Sequence, residues 1–250
     1  MRHLLLLMVV LLLIGGCQRE EPREGAPAEA GPAEEVPVAA PSEGPEAPSP
    51  LAALEQALED EDWQRRLETA WQLSDRQDIA APKRAELLLG AVEREVAEPT
   101  PGPPPYGTYL SRSEWLTFHY TRALGELGPE ALEPVRRAVA EETGELRARA
   151  LLALGYAGQR EVVLDLREVL RTSQDGELRT DAAYLLGRLG AREAIPDLRQ
   201  ALTDPYRVTV ESHHGRTREL YPVRDQALGA LEELGLTVEL TGEGEYRVVP

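Results

Sequence analysis

Ala123-Leu124-Gly125-Glu126-Leu127-Gly128 returns three times, as Ala153-Leu154-Gly155-Tyr156-Ala157-Gly158, Leu185-Leu186-Gly187-Arg188-Leu189-Gly190 and Ala230-Leu231-Glu232-Glu233-Leu234-Gly235. The closing glycines are 30, 32 and 45 residues apart, a period at which a supersecondary unit is copied and not a domain. Three further segments share one set of offsets: Ala131, Leu132, Val135, Ala138, Val139; Val162, Val163, Leu166, Val169, Leu170; and Ala194, Ile195, Leu198, Ala201, Leu202. Apolar positions separated by 1, 4, 7 and 8 residues fall on one face of a helix and on both faces of a strand. Each stripe is followed by a second helix ending in the glycine motif, so the unit is a helical hairpin. Gly128, Gly158 and Gly190 suit the left-handed position past a helix end, and Gly125, Gly155 and Gly187 leave room for a neighbouring backbone. None sits in the strand–loop–helix context of a phosphate cradle.

Composition agrees. Aromatics make up 5% of 250 residues and Phe occurs once, while Leu, Ala and Val suit helix-on-helix packing more than a β-sandwich. The formal net charge is -17, which disfavours nucleic acid and anionic lipid headgroups as partners. Lys83 is the single lysine against 26 arginines, a bias expected from a GC-rich coding sequence more than from bidentate anion recognition. One cysteine, Cys17, excludes an intrachain disulfide framework and a cysteine-based zinc cluster.

Arg2 followed by the apolar run Leu4–Ile14 reads as a secretory signal, because 11 residues fall short of the ~20 that span a bilayer. Leu13-Ile14-Gly15-Gly16-Cys17 resembles the lipobox of bacterial lipoproteins. That resemblance implies a diacylglycerol on the Cys17 thiol, cleavage just before it and stable anchoring by several acyl chains. Gln18 stands where many two-membrane bacteria place an inner-membrane retention Asp, so the expected location is the outer membrane, facing the periplasm. From Gln18 to Pro50 the chain holds eight Pro, seven Ala, eight Glu and no aromatic residue. It reads as a solvated linker, reaching at most ~100 Å if extended. The expected organisation is a lipoprotein signal peptide at 1–16, a lipidated cysteine and linker at 17–50, and a folded domain at 51–250.

Gly128-Pro129-Glu130-Ala131-Leu132-Glu133-Pro134, Gly190-Ala191-Arg192-Glu193-Ala194-Ile195-Pro196 and the pairs Leu146-Arg147, Leu178-Arg179 and Val223-Arg224 resemble HEAT repeats, in particular the bacterial kind similar to repeats of phycobilisome lyases. Two looser units precede them, from Leu51 to Leu73 and from Lys83 through a Pro-rich loop to the helix opening at Ser113. The resemblance implies an all-α fold, a right-handed α-solenoid of about five HEAT-like hairpins. Thirteen extra residues between Leu202 and Arg224 predict a β-hairpin inserted in the last repeat, with Val208-Thr209-Val210 and Arg218 to Tyr221 as its arms. The alternation Leu236, Val238, Leu240, then Tyr246 and Val248, predicts a second hairpin capping the last helix pair.

Candidate chemistry is sparse. Tyr106, Tyr109, Trp115, Phe118, His119 and Tyr120 form the densest aromatic set, and Trp115, Phe118, His119 and Arg122 share a helical face. Tyr106, Tyr109, Trp115, Phe118, His119 and Arg122 are candidate partner-binding residues, with core filling by Trp115 and Phe118 and pinning of the long loop by Tyr106 and Tyr109 as the alternative. Glu211, His213 and His214 carry metal-ligand chemistry, but adjacent strand side chains face opposite ways, so a solvated hairpin tip is expected. The remaining Asp and Glu residues read as helix surface charge. No catalytic residue, metal or cofactor is expected. The expected function is a non-enzymatic, membrane-anchored scaffold for an unidentified protein partner, with a lyase-like enzyme or accessory role as runner-up. Nothing in the sequence fixes an oligomeric state.

Overall fold

A computed structural model describes residues 49–105, 108–211, 216–240 and 246–249. Cys17, the linker through residue 48, Tyr106, His213 and His214 lie outside the described residues. All elements described belong to the unit Ala47–Pro250.

Among the described residues ten α-helices form five consecutive hairpins: α1 (Pro50–Leu58) with α2 (Trp63–Asp75), α3 (Ala81–Ala97) with α4 (Arg112–Glu126), α5 (Leu132–Glu141) with α6 (Gly144–Tyr156), α7 (Val163–Thr172) with α8 (Gly176–Arg188), and α9 (Ile195–Ala201) with α10 (Pro222–Glu233). Short 3-10 turns, Pro129–Ala131, Arg160–Val162 and Arg192–Ala194, lead into α5, α7 and α9. α1, α2, α4 and α8 start where the sequence offers a side-chain oxygen to their free N–H groups. Asp62 caps α2 and Asp175 caps α8, while Ser111 and Glu114 form a reciprocal capping box on α4. The second helices pack in sequence, α2 on α4, α4 on α6, α6 on α8 and α8 on α10, so they make one continuous layer. The apolar stripes of the first helices close a single core that runs the length of the stack, with Leu132, Val135, Val163, Leu166 and Leu198 buried. The fold is an α-solenoid with two β-hairpins.

The glycine motif works at both of its positions. Gly158 donates to the carbonyl of Gly155 at 2.9 Å and Gln159 to that of Leu154 at 3.0 Å, a Schellman closure of α6. The same pair of bonds recurs as Gly190 to Gly187 with Ala191 to Leu186, and as Gly235 to Glu232 with Leu236 to Leu231. Gly128 also takes a positive φ, 92°. The residue after it is Pro129, which has no N–H to give, so the longer bond cannot form. At the inner position, a Cβ on Gly187 would lie 2.7 Å from the Cα of Ala230, which lets α8 and α10 approach backbone to backbone.

The paired arginines are staples. Arg147 donates to the Val139 carbonyl at 3.2 Å and to Asp165 at 2.8 Å; Arg179 donates to the Ser173 carbonyl at 2.8 Å and to both oxygens of Asp204 at 2.8 and 2.9 Å; Arg224 donates to the Asp204 carbonyl at 2.6 Å. In each hairpin the second helix thus grips the end of its first helix, where carbonyls lack helical partners. Arg66 does the same in the first hairpin, bonding the Asp60 carbonyl at 2.6 Å and Glu95 at 2.9 Å. In α4 the register eight residues before the glycine falls on Thr117, which bonds back to Ser113 and Glu114 of its own helix. Arg179 is bidentate on the Asp204 carboxylate because guanidinium geometry matches it.

β1 (Val208–Glu211) and β2 (Thr217–Leu220) pair antiparallel between α9 and α10, and β3 (Thr237–Leu240) pairs with β4 (Tyr246–Val249). Val238, Tyr246 and Val248 pack against the core beside α10, so the second hairpin caps the last helix pair. Glu211 is exposed at the end of β1.

Two substitutions separate the glycine roles. Gly187→Ala should cost about 1–3 kcal/mol, since the obstacle is backbone. Gly90→Ala on the exposed side of α3 meets nothing within 4 Å and should be neutral or stabilising by up to about 1 kcal/mol. Urea melts followed by helical circular dichroism check both; equal effects would remove the distinction.

Candidate functional site

The outer side of the second-helix layer gathers the polar and aromatic residues. Positions three and four apart on α4 bring Trp115, Phe118, His119 and Arg122 to one side, as expected. Trp71 of α2, which the sequence reading missed, completes the group. The His119 ring centre lies 4.3 Å from Trp115, 5.2 Å from Phe118 and 5.5 Å from Trp71, edge-on in each case. Trp115 packs against the core, whereas Trp71 is 49% exposed. Burial, with Arg122 nearby, pushes the His119 pKa down to about 4. The imidazole is therefore neutral at neutral pH, and its buried Nε2 has no hydrogen-bond partner. Arg122 pairs with Glu126 at 3.1 Å.

Tyr109 goes elsewhere. No ring contact joins it to Trp115, Phe118 or His119 among the described residues. Its phenol is held well above its ordinary pKa by burial and by the charges of Glu177, Asp181, Asp225 and Glu114. The Pro-rich α3–α4 loop thereby carries Tyr109 toward carboxylates of α8 and α10.

Those carboxylates correct the reading of Asp and Glu as surface charge. Glu177 is 8% exposed, and Tyr206 donates to its Oε1 at 2.5 Å. Tyr206 lies over Gly176, where any side chain would collide with its ring. Asp181, one turn along α8, accepts from the Tyr156 hydroxyl at 3.2 Å. Arg149 of α6 is 2% exposed, within 3.2 Å of Glu145 and 3.9 Å of Asp175. Burial pushes Glu177 up to about 7, with Asp181, Glu114 and Asp175 adding to the shift and the Tyr206 bond opposing it. Burial likewise raises Asp181 to about 6, against the pull of Arg149 and Tyr156. The signal in the sequence was Glu177-x-x-x-Asp181, two acids one turn apart on one side of a helix.

Between α4, α6, α8 and α10 a pocket of about 160 Å³ is lined by Phe118, Arg122, Tyr156, Thr180, Asp181, Tyr184 and Gln226. Small-molecule sites occupy about 300–1,000 Å³, so this one has room for a side chain and not for a cofactor. Among the described residues no three His, Cys, Asp or Glu converge as metal ligands.

Stacked helical hairpins with a side-chain-sized pocket on their second-helix layer define a repeat protein with a surface for contact. Residues 132–212 match the family of HEAT repeats. Among solved structures, the complex of CpcE and CpcF of phycocyanin lyase from Nostoc sp. PCC7120 is similar at 17% identity and a TM-score of 0.40, covering 80% of this chain and 70% of that chain. A likeness of that depth carries nothing about activity. No curated protein matches the chain.

The buried acid on α8 has a pH signature. The unfolded chain takes up the Glu177 proton near 4.5 and the fold takes it up near 7. Folding is therefore favoured by this group below pH 4.5, and that stability, up to about 3 kcal/mol, is lost as pH rises through 7. Glu177→Gln keeps an acceptor for Tyr206 and has no charge to bury. It should melt higher than wild type at pH 8 and alongside it at pH 4; parallel curves at both pH values would contradict the assignment.

Proposed function

We propose that this is a non-enzymatic, lipid-anchored scaffold that binds a protein partner on the second-helix layer of its HEAT-type solenoid, on the periplasmic side of the outer membrane. The supporting observation is the continuity of that layer across all five hairpins, with Trp71, Phe118, Tyr156 and Tyr184 along it and a pocket fit for one side chain. Aromatic anchors around side-chain pockets are the places where protein interfaces concentrate their energy. HEAT repeats suggest the same use, because stacked hairpins offer an extended surface larger than any single unit supplies.

The anchoring part rests on Leu13-Ile14-Gly15-Gly16-Cys17 and on the apolar run before it. Among the described residues no helix is long and apolar enough to cross a membrane. The net charge of -17 supports a neutral or basic partner and argues against nucleic acid.

Crosslinking in intact cells tests both parts. The wild-type chain should remain in the membrane fraction and crosslink a defined protein set. Cys17→Ala should lose lipid labelling and leave the membrane fraction. Trp71→Ala, at a half-exposed ring, should lose the crosslinks while keeping the anchor. Membrane retention of unlabelled Cys17→Ala at the wild-type level would overturn the anchor; an unchanged crosslink pattern in Trp71→Ala would remove this face from the interface.

A further inference from the structure

The pocket between α4, α6, α8 and α10 has a chemistry of its own. Asp181 is the one carboxylate that lines it, and it stands in no ion pair within 4 Å among the described residues. Among the described residues its hydrogen bond comes from the Tyr156 hydroxyl. Arg149 draws on Asp181 from beyond ion-pair distance, and Asp181 is only part-buried; a carboxylate partly removed from water with no cation bonded to it is costly, and a matching cation that enters recovers part of that cost. The cation already at the rim is engaged elsewhere, since Arg122 is held by Glu126. The other lining groups are the rings of Phe118, Tyr156 and Tyr184 and the hydroxyl of Thr180. That hydroxyl donates to the Gly176 carbonyl at 2.8 Å, which leaves its lone pairs free to accept.

Aromatic faces attract cations, most of all where water is excluded. The chain uses this contact itself: the Arg188 guanidinium lies 5.7 Å from the centre of Tyr184, and that of Arg224 lies 4.3 Å from Tyr221. A planar guanidinium can stack on such a ring while its edge donates to a carboxylate and a hydroxyl, which a lysine ammonium cannot do. The chain's net charge of -17 favours the approach of basic segments.

We propose that this pocket seats one arginine side chain of a basic segment in a protein partner, with Asp181 as its counter-ion, Thr180 as a second acceptor and the three rings as its walls. The assignment rests on the scaffold reading above and names the chemistry of the partner.

Calorimetric titration of the detergent-solubilised full chain tests it, with a short glycine-serine peptide carrying arginines as the probe. The same peptide with citrulline, the neutral isostere, should bind at least about tenfold more weakly, because the charge-assisted bonds and the cation–ring attraction are both lost. Asp181→Asn, which keeps the shape and an acceptor for Tyr156, should weaken the arginine peptide by a similar factor. Tyr184→Ala provides a second probe of the pocket. Asp225→Asn, outside the pocket lining, should change binding less than about threefold, as a screened surface charge does. Equal binding of the citrulline peptide, or equal losses in Asp225→Asn and Asp181→Asn, would overturn the assignment. So would dimerisation of the free chain abolished by Asp181→Asn, since the occupant would then be a second copy. A crosslinked partner set in intact cells that Asp181→Asn leaves intact would sink the pocket assignment and keep the scaffold reading. Loss of all crosslinks from the wild-type chain would strike the scaffold reading itself.

Discussion

Close approach between successive second helices is the constraint on which the rest of this structure depends. At Gly187 the missing side chain admits the Ala230 backbone, at Gly155 it admits Leu185, and at Gly125 it admits the base of Tyr156. Packing density in a protein interior leaves no slack for an extra methyl at such points. The same contacts set the outer side of the layer. Tyr156 is seated against Gly125, and its ring comes to 6.2 Å from that of Tyr184. The repeat motif and the pocket are therefore two faces of one packing arrangement, and the functional surface inherits its spacing from the glycines beneath it.

The hairpins were legible because they are local. Helix periodicity, closing glycines and the offsets of the arginine pairs are all expressed within one repeat, and the structure reproduces five hairpins and both β-hairpins close to the expected limits. What the sequence concealed depends on residues brought together from different repeats. Trp71 sits in a loosely patterned unit, far in sequence from His119, and nothing on α2 alone marks it as the outer wall of an aromatic group. Arg66 carries the stapling role of Arg147 and Arg179, yet Ser74 stands where a glycine would have flagged the register. Glu177 and Asp181 looked like ordinary helix charges until Tyr206 and Tyr156 were placed over them.

Charge in this chain is organised by depth. Arginines at the turns between first and second helices are consumed by carbonyls and by partner carboxylates, as with Arg179 on Asp204. Acids on the second-helix layer are different: among the described residues Asp181 and Glu177 accept from tyrosines, with Arg149 buried close by. A surplus of acid overall is therefore sharpened locally into an unpaired carboxylate beside aromatic rings, which has more consequence for recognition than the total of -17.

The α3–α4 loop adds something that a plain stack lacks. In a solenoid each hairpin touches only its neighbours, so stability propagates along the array like a one-dimensional chain of nearest-neighbour couplings and the ends can melt separately. Tyr109, anchored in the second hairpin, lies in the field of residues from the fourth and fifth. The charges of the fourth and fifth hairpins thus act on a phenol that belongs to the second. Opening the last two hairpins would carry those carboxylates away and ease the ionisation of that phenol, so its titration reports on the far end of the stack.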